Sequence, residues 1–71
     1  MNKERRKRIV DAIYKIETLI QNILDDEQEA YDNMPPGIQE SENGMISEEA
    51  QESLDSAIES LEEAISYLEE I

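Results

Sequence analysis

Carboxylates are the one chemically active kind of side chain this sequence holds in quantity. It has 19 Asp and Glu against 6 Lys and Arg, with no His and no Cys. Carboxylates can bind hard divalent cations or pass protons in pairs. Without imidazole or thiol, the commonest acid–base group, the usual transition-metal ligands and the cysteine nucleophile are missing. Most enzyme classes fall away, and the expectation is a non-enzymatic protein with no cofactor and no catalytic residue.

Two acidic patterns come nearest to chemistry. Asp25, Glu27 and Glu29 alternate as EF-hand ligands do. The sixth position, however, is Ala30 where the tight turn needs Gly, and the twelfth is Pro36 where a bidentate Glu belongs. Glu48, Glu49 and Glu52 have the i, i+3, i+4 spacing of magnesium-binding helices in all-α nucleotide pyrophosphatases. That chemistry needs further acids converging from neighbouring helices. Here Glu48 and Glu49 follow Ser47, where they offset the positive end of a helix dipole. A magnesium-dependent nucleotide hydrolase is thus the weakest functional reading, and no metal site is assigned.

The charge is segregated along the chain. The formal net charge is −13, but all six basic residues fall at or before Lys15. Lys3, Arg5, Arg6, Lys7 and Arg8 form a cluster with no aromatic residue inside it, and everything after Lys15 is acidic or neutral. Such a chain repels nucleic acid and anionic membrane over most of its surface and suits a basic protein partner. The longest apolar run, Ala12-Ile13-Tyr14, is far too short for a spanning helix or a signal-peptide core. A soluble, cytoplasmic protein is expected.

Two amphipathic helices must carry these acids. Ile9, Ile13, Ile16, Ile20 and Ile23 step by four, three, four and three, a heptad stripe that predicts a helix over about 3–31. Glu27 continues that frame; its carboxylate is expected either to stay wet near the open end of the hairpin or, the preferred reading, to bond backbone groups of the connection near Gly37. Val10, Leu19, Leu24 and Tyr31 widen the stripe into a broad face. Pro35 and Pro36 end the helix. Residues 32–46 are read as the connection, with Gly37, Asn43 and Gly44 as turn signals and Asn33 capping a short turn anchored by Ile38. Ser47 is read as the N-cap of a second helix over about 47–70, with Leu54, Ile58, Leu61, Ile65 and Leu68 as its large apolar stripe. Ala50, Ala57 and Ala64 run beside that stripe.

The expected fold is all-α: a single antiparallel helical hairpin over residues 1–71, dimerising into a four-helix bundle. Pairing of the basic cluster with Glu62, Glu63, Glu69 and Glu70 would offset its clash with the dipole of its own helix. Both apolar faces exceed what one hairpin hides, so a homodimer is expected. Its interface candidates are Ile9, Ile13, Ile16, Ile20 and Ile23 with Leu54, Ile58, Leu61, Ile65 and Leu68. Near the connection, Asp25, Asp26, Glu29, Tyr31, Asp32, Glu40 and Glu42 are the candidates for binding a partner.

The stretch Glu27-Gln28-Glu29-Ala30-Tyr31-Asp32-Asn33-Met34-Pro35, followed by Ile38-Gln39 and Ser41-Glu42, resembles a segment of small acidic helical-hairpin proteins of phages and Gram-positive bacteria. In those proteins it joins a first amphipathic helix to a second rich in Glu, Ala, Ser and Leu. Pro36-Gly37 replaces acidic or polar residues of the pattern and stiffens the turn. The resemblance implies a phage or prophage setting, where small acidic proteins often inhibit host proteins, antiviral defence included. The leading expectation is therefore a phage accessory protein that inhibits a host factor by docking an acidic surface on a basic one. The alternative is an assembly module that acts by self-association.

Overall fold

The computed structural model describes residues 1–70. Its elements are α1 (Lys3–Asp32), α2 (Pro36–Gln39) and α3 (Glu42–Glu69). Asn2 caps α1, its side-chain oxygen accepting from the backbone N–H groups of Glu4 and Arg5 at 2.8 and 3.2 Å. α1 ends at Asn33, just before the two prolines, whose fixed φ then starts the single turn of α2. α1 and α3 pack along each other in opposite directions, giving a rod of 54 × 15 × 11 Å.

α1 turns a particular stripe toward α3: Val10, Ile13, Glu17, Ile20, Leu24, Glu27 and Tyr31, all half-buried or buried. The facing stripe of α3 is Ser47, Gln51, Leu54, Ile58, Leu61, Ile65 and Leu68, with Ala50, Ala57 and Ala64 beside it. Leu24, Ile58 and Ile65 are the buried hydrophobic residues among those described, and none is sealed completely from solvent. The isoleucine stripe read from periodicity is split by this packing. Ile13 and Ile20 lie against α3, whereas Ile9, Ile16 and Ile23 remain 41–49 % exposed, and Leu19 is more exposed still. The reason is rotational. Glu27 accepts from Ser47 of α3 and Tyr31 donates to Glu48 of α3, a rotation of α1 that brings the neighbouring stripe inward even though it carries two glutamates.

α3 begins five residues earlier than its sequence reading. Ser41 is its N-cap residue, although the Ser41 hydroxyl donates back to the Ile38 carbonyl rather than into the helix. Asn43 and Gly44, read as turn residues, lie inside the first turns of the helix. Gly44 is there for close approach: a Cβ at this position would sit 1.9 Å from the Gln39 carbonyl oxygen. The backbone of α2 thus rests directly on α3. Ser47 is not a cap but a buried residue within the helix. Ile38 is 44 % exposed and anchors nothing. Gln39 anchors the turn instead, its amide donating to the Tyr31 carbonyl at 2.9 Å.

Candidate functional site

The acidic end of the rod is assembled around the connection. Tyr31, in the last two turns of α1, donates its phenolic proton to Glu48 Oε1 at 2.6 Å. That hydrogen bond, partial burial, and the negative charge of Glu48, Asp32 and Glu40 hold the Tyr31 hydroxyl above its usual range. Glu48 thus touches the Tyr31 hydroxyl, and Asp32 and Glu40 are near enough for their charge to be felt there. One turn deeper, the buried Ser47 hydroxyl donates to Glu27 Oε1 at 2.7 Å, while Gln51 approaches the same hydroxyl at 3.4 Å. Glu27 is therefore bonded to an α3 side chain and not to backbone near Gly37. These contacts, with the Gln39 bond and the Gly44 contact, fix the carboxylates on a rigid support.

Asp25, Glu29 and Asp32 step by four and three residues, so they share one exposed face of α1. Asp25 accepts from the Gln21 amide at 3.1 Å. Asp26 lies a step round the helix, in line with Leu19 and Ile23, and is exposed. Glu40 and Glu42 flank the α2–α3 junction and are exposed. The structure thus gathers Tyr31, Asp32 and Glu40 closely, leaves Asp25, Asp26 and Glu29 further up α1, and adds Glu48. Sequence reasoning had assigned Glu48 to the helix dipole. The pair Ser41-Glu42 is as good an N-cap signal as Ser47-Glu48, and reading it would have put Glu48 a full turn inside the helix.

A second acidic feature lies in the far half of the rod. Glu17 and Glu62 face each other beside a cleft lined by Tyr14, Ile65, Ser66 and Glu69. One oxygen of Glu17 is buried with no hydrogen-bond donor in reach. The neighbouring carboxylate of Glu62 offers this oxygen no donor. The side-chain contact with Glu62, then desolvation, then the charge of Glu62 raise the Glu17 carboxyl above its ordinary value. Among the described residues no three acidic side chains come together as metal ligands, Glu48, Glu49 and Glu52 included.

Glu62 thus faces Glu17 and not the basic cluster. The register set by Glu17–Glu62 and Tyr31–Glu48 puts Val10 opposite Glu69. Lys3–Arg8 consequently lie at and beyond the last turn of α3, rather than along Glu62 and Glu63. Among the described residues, no helix is long and apolar enough to cross a membrane. No family model matches the chain, and no curated protein or solved structure matches it.

Proposed function

We propose that this is a non-enzymatic protein-binding module whose acidic connection end docks on a basic protein surface. The observation that carries this reading is the Tyr31–Glu48 bond across the helices beside the exposed carboxylates Asp25, Glu29, Asp32 and Glu40, in a chain with no cation after Lys15. Carboxylates held on a rigid helical support steer and orient a basic partner with little ordering cost. In the phage setting that the connection motif resembles, the partner is a host factor in the bacterial cytoplasm, and the outcome of docking is its inhibition. The test is affinity capture from bacterial lysate, alongside the variant Asp25→Lys/Asp32→Lys/Glu40→Lys. A protein retained at low salt, released as salt rises and lost with the variant is the expected result. If nothing depends on both salt and these three carboxylates, the reading is wrong.

A second reading is favoured by a separate observation. Ile9, Ile16, Leu19 and Ile23 stand exposed along one side of α1. A homodimer that covers them would complete a four-helix bundle, with host binding left to the acidic ends.

A further inference from the structure

The outward side of α1 is a second heptad seam. Ile9, Ala12, Ile16, Leu19 and Ile23 recur at three and four residues and contain no polar member, in contrast to the inward seam with Glu17 and Glu27. Arg5 extends this seam at one end and Asp26 at the other. Arg8 and Glu29 flank the same two ends. Arg5, Arg8, Ile9 and Ala12 surround an open groove, with Ile13 also on its wall. Their i, i+3, i+4, i+7 spacing is that of a hole for a side chain of another helix.

We propose that this seam binds a second copy of the chain, with the two α1 helices antiparallel. The proposal rests on the homodimer reading above and specifies its face, orientation and register. In this pairing Ile16 packs against the second copy's Leu19, and Ala12 against the second copy's Ile23. The second copy's Asp26 enters the groove between Arg5 and Arg8, and the second copy's Glu29 lies beside Arg8. Each contact occurs twice, as two-fold symmetry requires.

Charge decides the orientation. A parallel pair would set Arg5 and Arg8 against themselves and Asp26 and Glu29 against themselves. The antiparallel pair turns both repulsions into attractions. It also gives Arg5 and Arg8 of the basic cluster an acidic complement in the other copy's α1.

Surface area supports the same occupant. A folded monomer of 8.2 kDa is expected to expose about 4,500 Å². This hairpin exposes 5413 Å². The excess, about 900 Å², is close to the roughly 800 Å² that each partner contributes to an interface of standard size.

The experiment is sedimentation equilibrium on the full chain at micromolar concentration, followed by cross-linking. A mass near twice 8.2 kDa is expected, falling to 8.2 kDa for Ile16→Glu/Leu19→Glu. A monomeric wild type, or a dimer that survives those two charges, overturns the proposal. Orientation is read independently from mixed single-cysteine proteins, since the chain has no cysteine of its own. On oxidation, Ile9→Cys mixed with Asp26→Cys should give mainly the mixed disulfide, whereas a predominance of the two homodisulfides refutes the antiparallel pairing. This second measurement stands even if the glutamate variant loses its helical circular dichroism. Because it involves no host protein, its failure is distinguishable from failure of the lysate test.

Discussion

At the connection end, Tyr31, Gln39, Ser47 and Glu48 tie α1, α2 and α3 together through side-chain hydrogen bonds, and Gly44 lets backbone touch backbone. At the other end, Glu17 meets Glu62, and Tyr67 donates only to Glu63 of its own helix, at 3.2 Å. The first end is held by specific polar geometry. The second is held by Ile13, Ile65 and Leu68 against a like-charge contact. Polar specificity has thus been concentrated where the helices are already joined covalently. It sets the rotation of α1 there, and the rest of the rod inherits that rotation.

The strongest way to break this contrast is at Gly44. Gly44→Ala places a methyl group on the Gln39 carbonyl, which the backbone of α2 must move to relieve. Overpacking of this kind costs ~1–3 kcal/mol, against up to ~1 kcal/mol gained from helix propensity. A net fall in thermal midpoint, by some 5–10 °C at this chain length, is expected by circular dichroism. A midpoint at or above that of the wild type would show that α2 is not seated on α3.

A smaller effect separates the Glu27–Ser47 bond from mere proximity. Glu27→Ala, Ser47→Ala and the double variant form a cycle, read by denaturant unfolding. A coupling of roughly 1–2 kcal/mol is expected for a partly buried hydrogen bond to a carboxylate. Strict additivity of the two single changes would remove Glu27 from the list of residues that set the rotation of α1.

The smallest effect has the opposite sign and lies at the other end. Glu17 has its carboxyl raised in the folded state above the ordinary value of 4.5. A raised carboxyl favours folding while it is protonated, and that contribution is lost as pH rises through the folded value. Glu17→Gln keeps the shape and removes the titration. The variant should therefore melt a few degrees above the wild type at neutral pH and show no such advantage in mild acid. A constant difference between the two proteins across pH would mean that the contact with Glu62 does not raise the Glu17 carboxyl.

The hairpin itself was legible because period-3.5 apolar residues fill both halves and two prolines separate them. What periodicity could not settle was which of two adjacent stripes of α1 faces α3. Hydropathy favours the stripe of Ile9, Ile16 and Ile23, since its neighbour includes Glu17 and Glu27. Glu17 and Glu27 nevertheless lie inward: Ser47 donates to Glu27, and Glu17 is carried in with its stripe against the like charge of Glu62. The start of α3 was misplaced for a similar reason. Gly44 signals a turn only until the Gln39 backbone is known to occupy the space of its side chain. At the acidic end, local spacing alone puts Asp25, Glu29 and Asp32 on one face of α1, with Tyr31 beside them in sequence. Glu48 became part of the cluster only when α3 folded back across α1.

The position of the cross-helix bonds also bears on the order in which the chain folds. Glu27–Ser47 and Tyr31–Glu48 join residues 20 and 17 apart. Glu17 and Glu62 are more than twice as far apart along the chain. Closing the shorter loops sacrifices less chain entropy, so the rod should zip from the connection toward its termini. The carboxyl pair is then among the last contacts to form, and a proton taken up there should mainly slow the first step of unfolding.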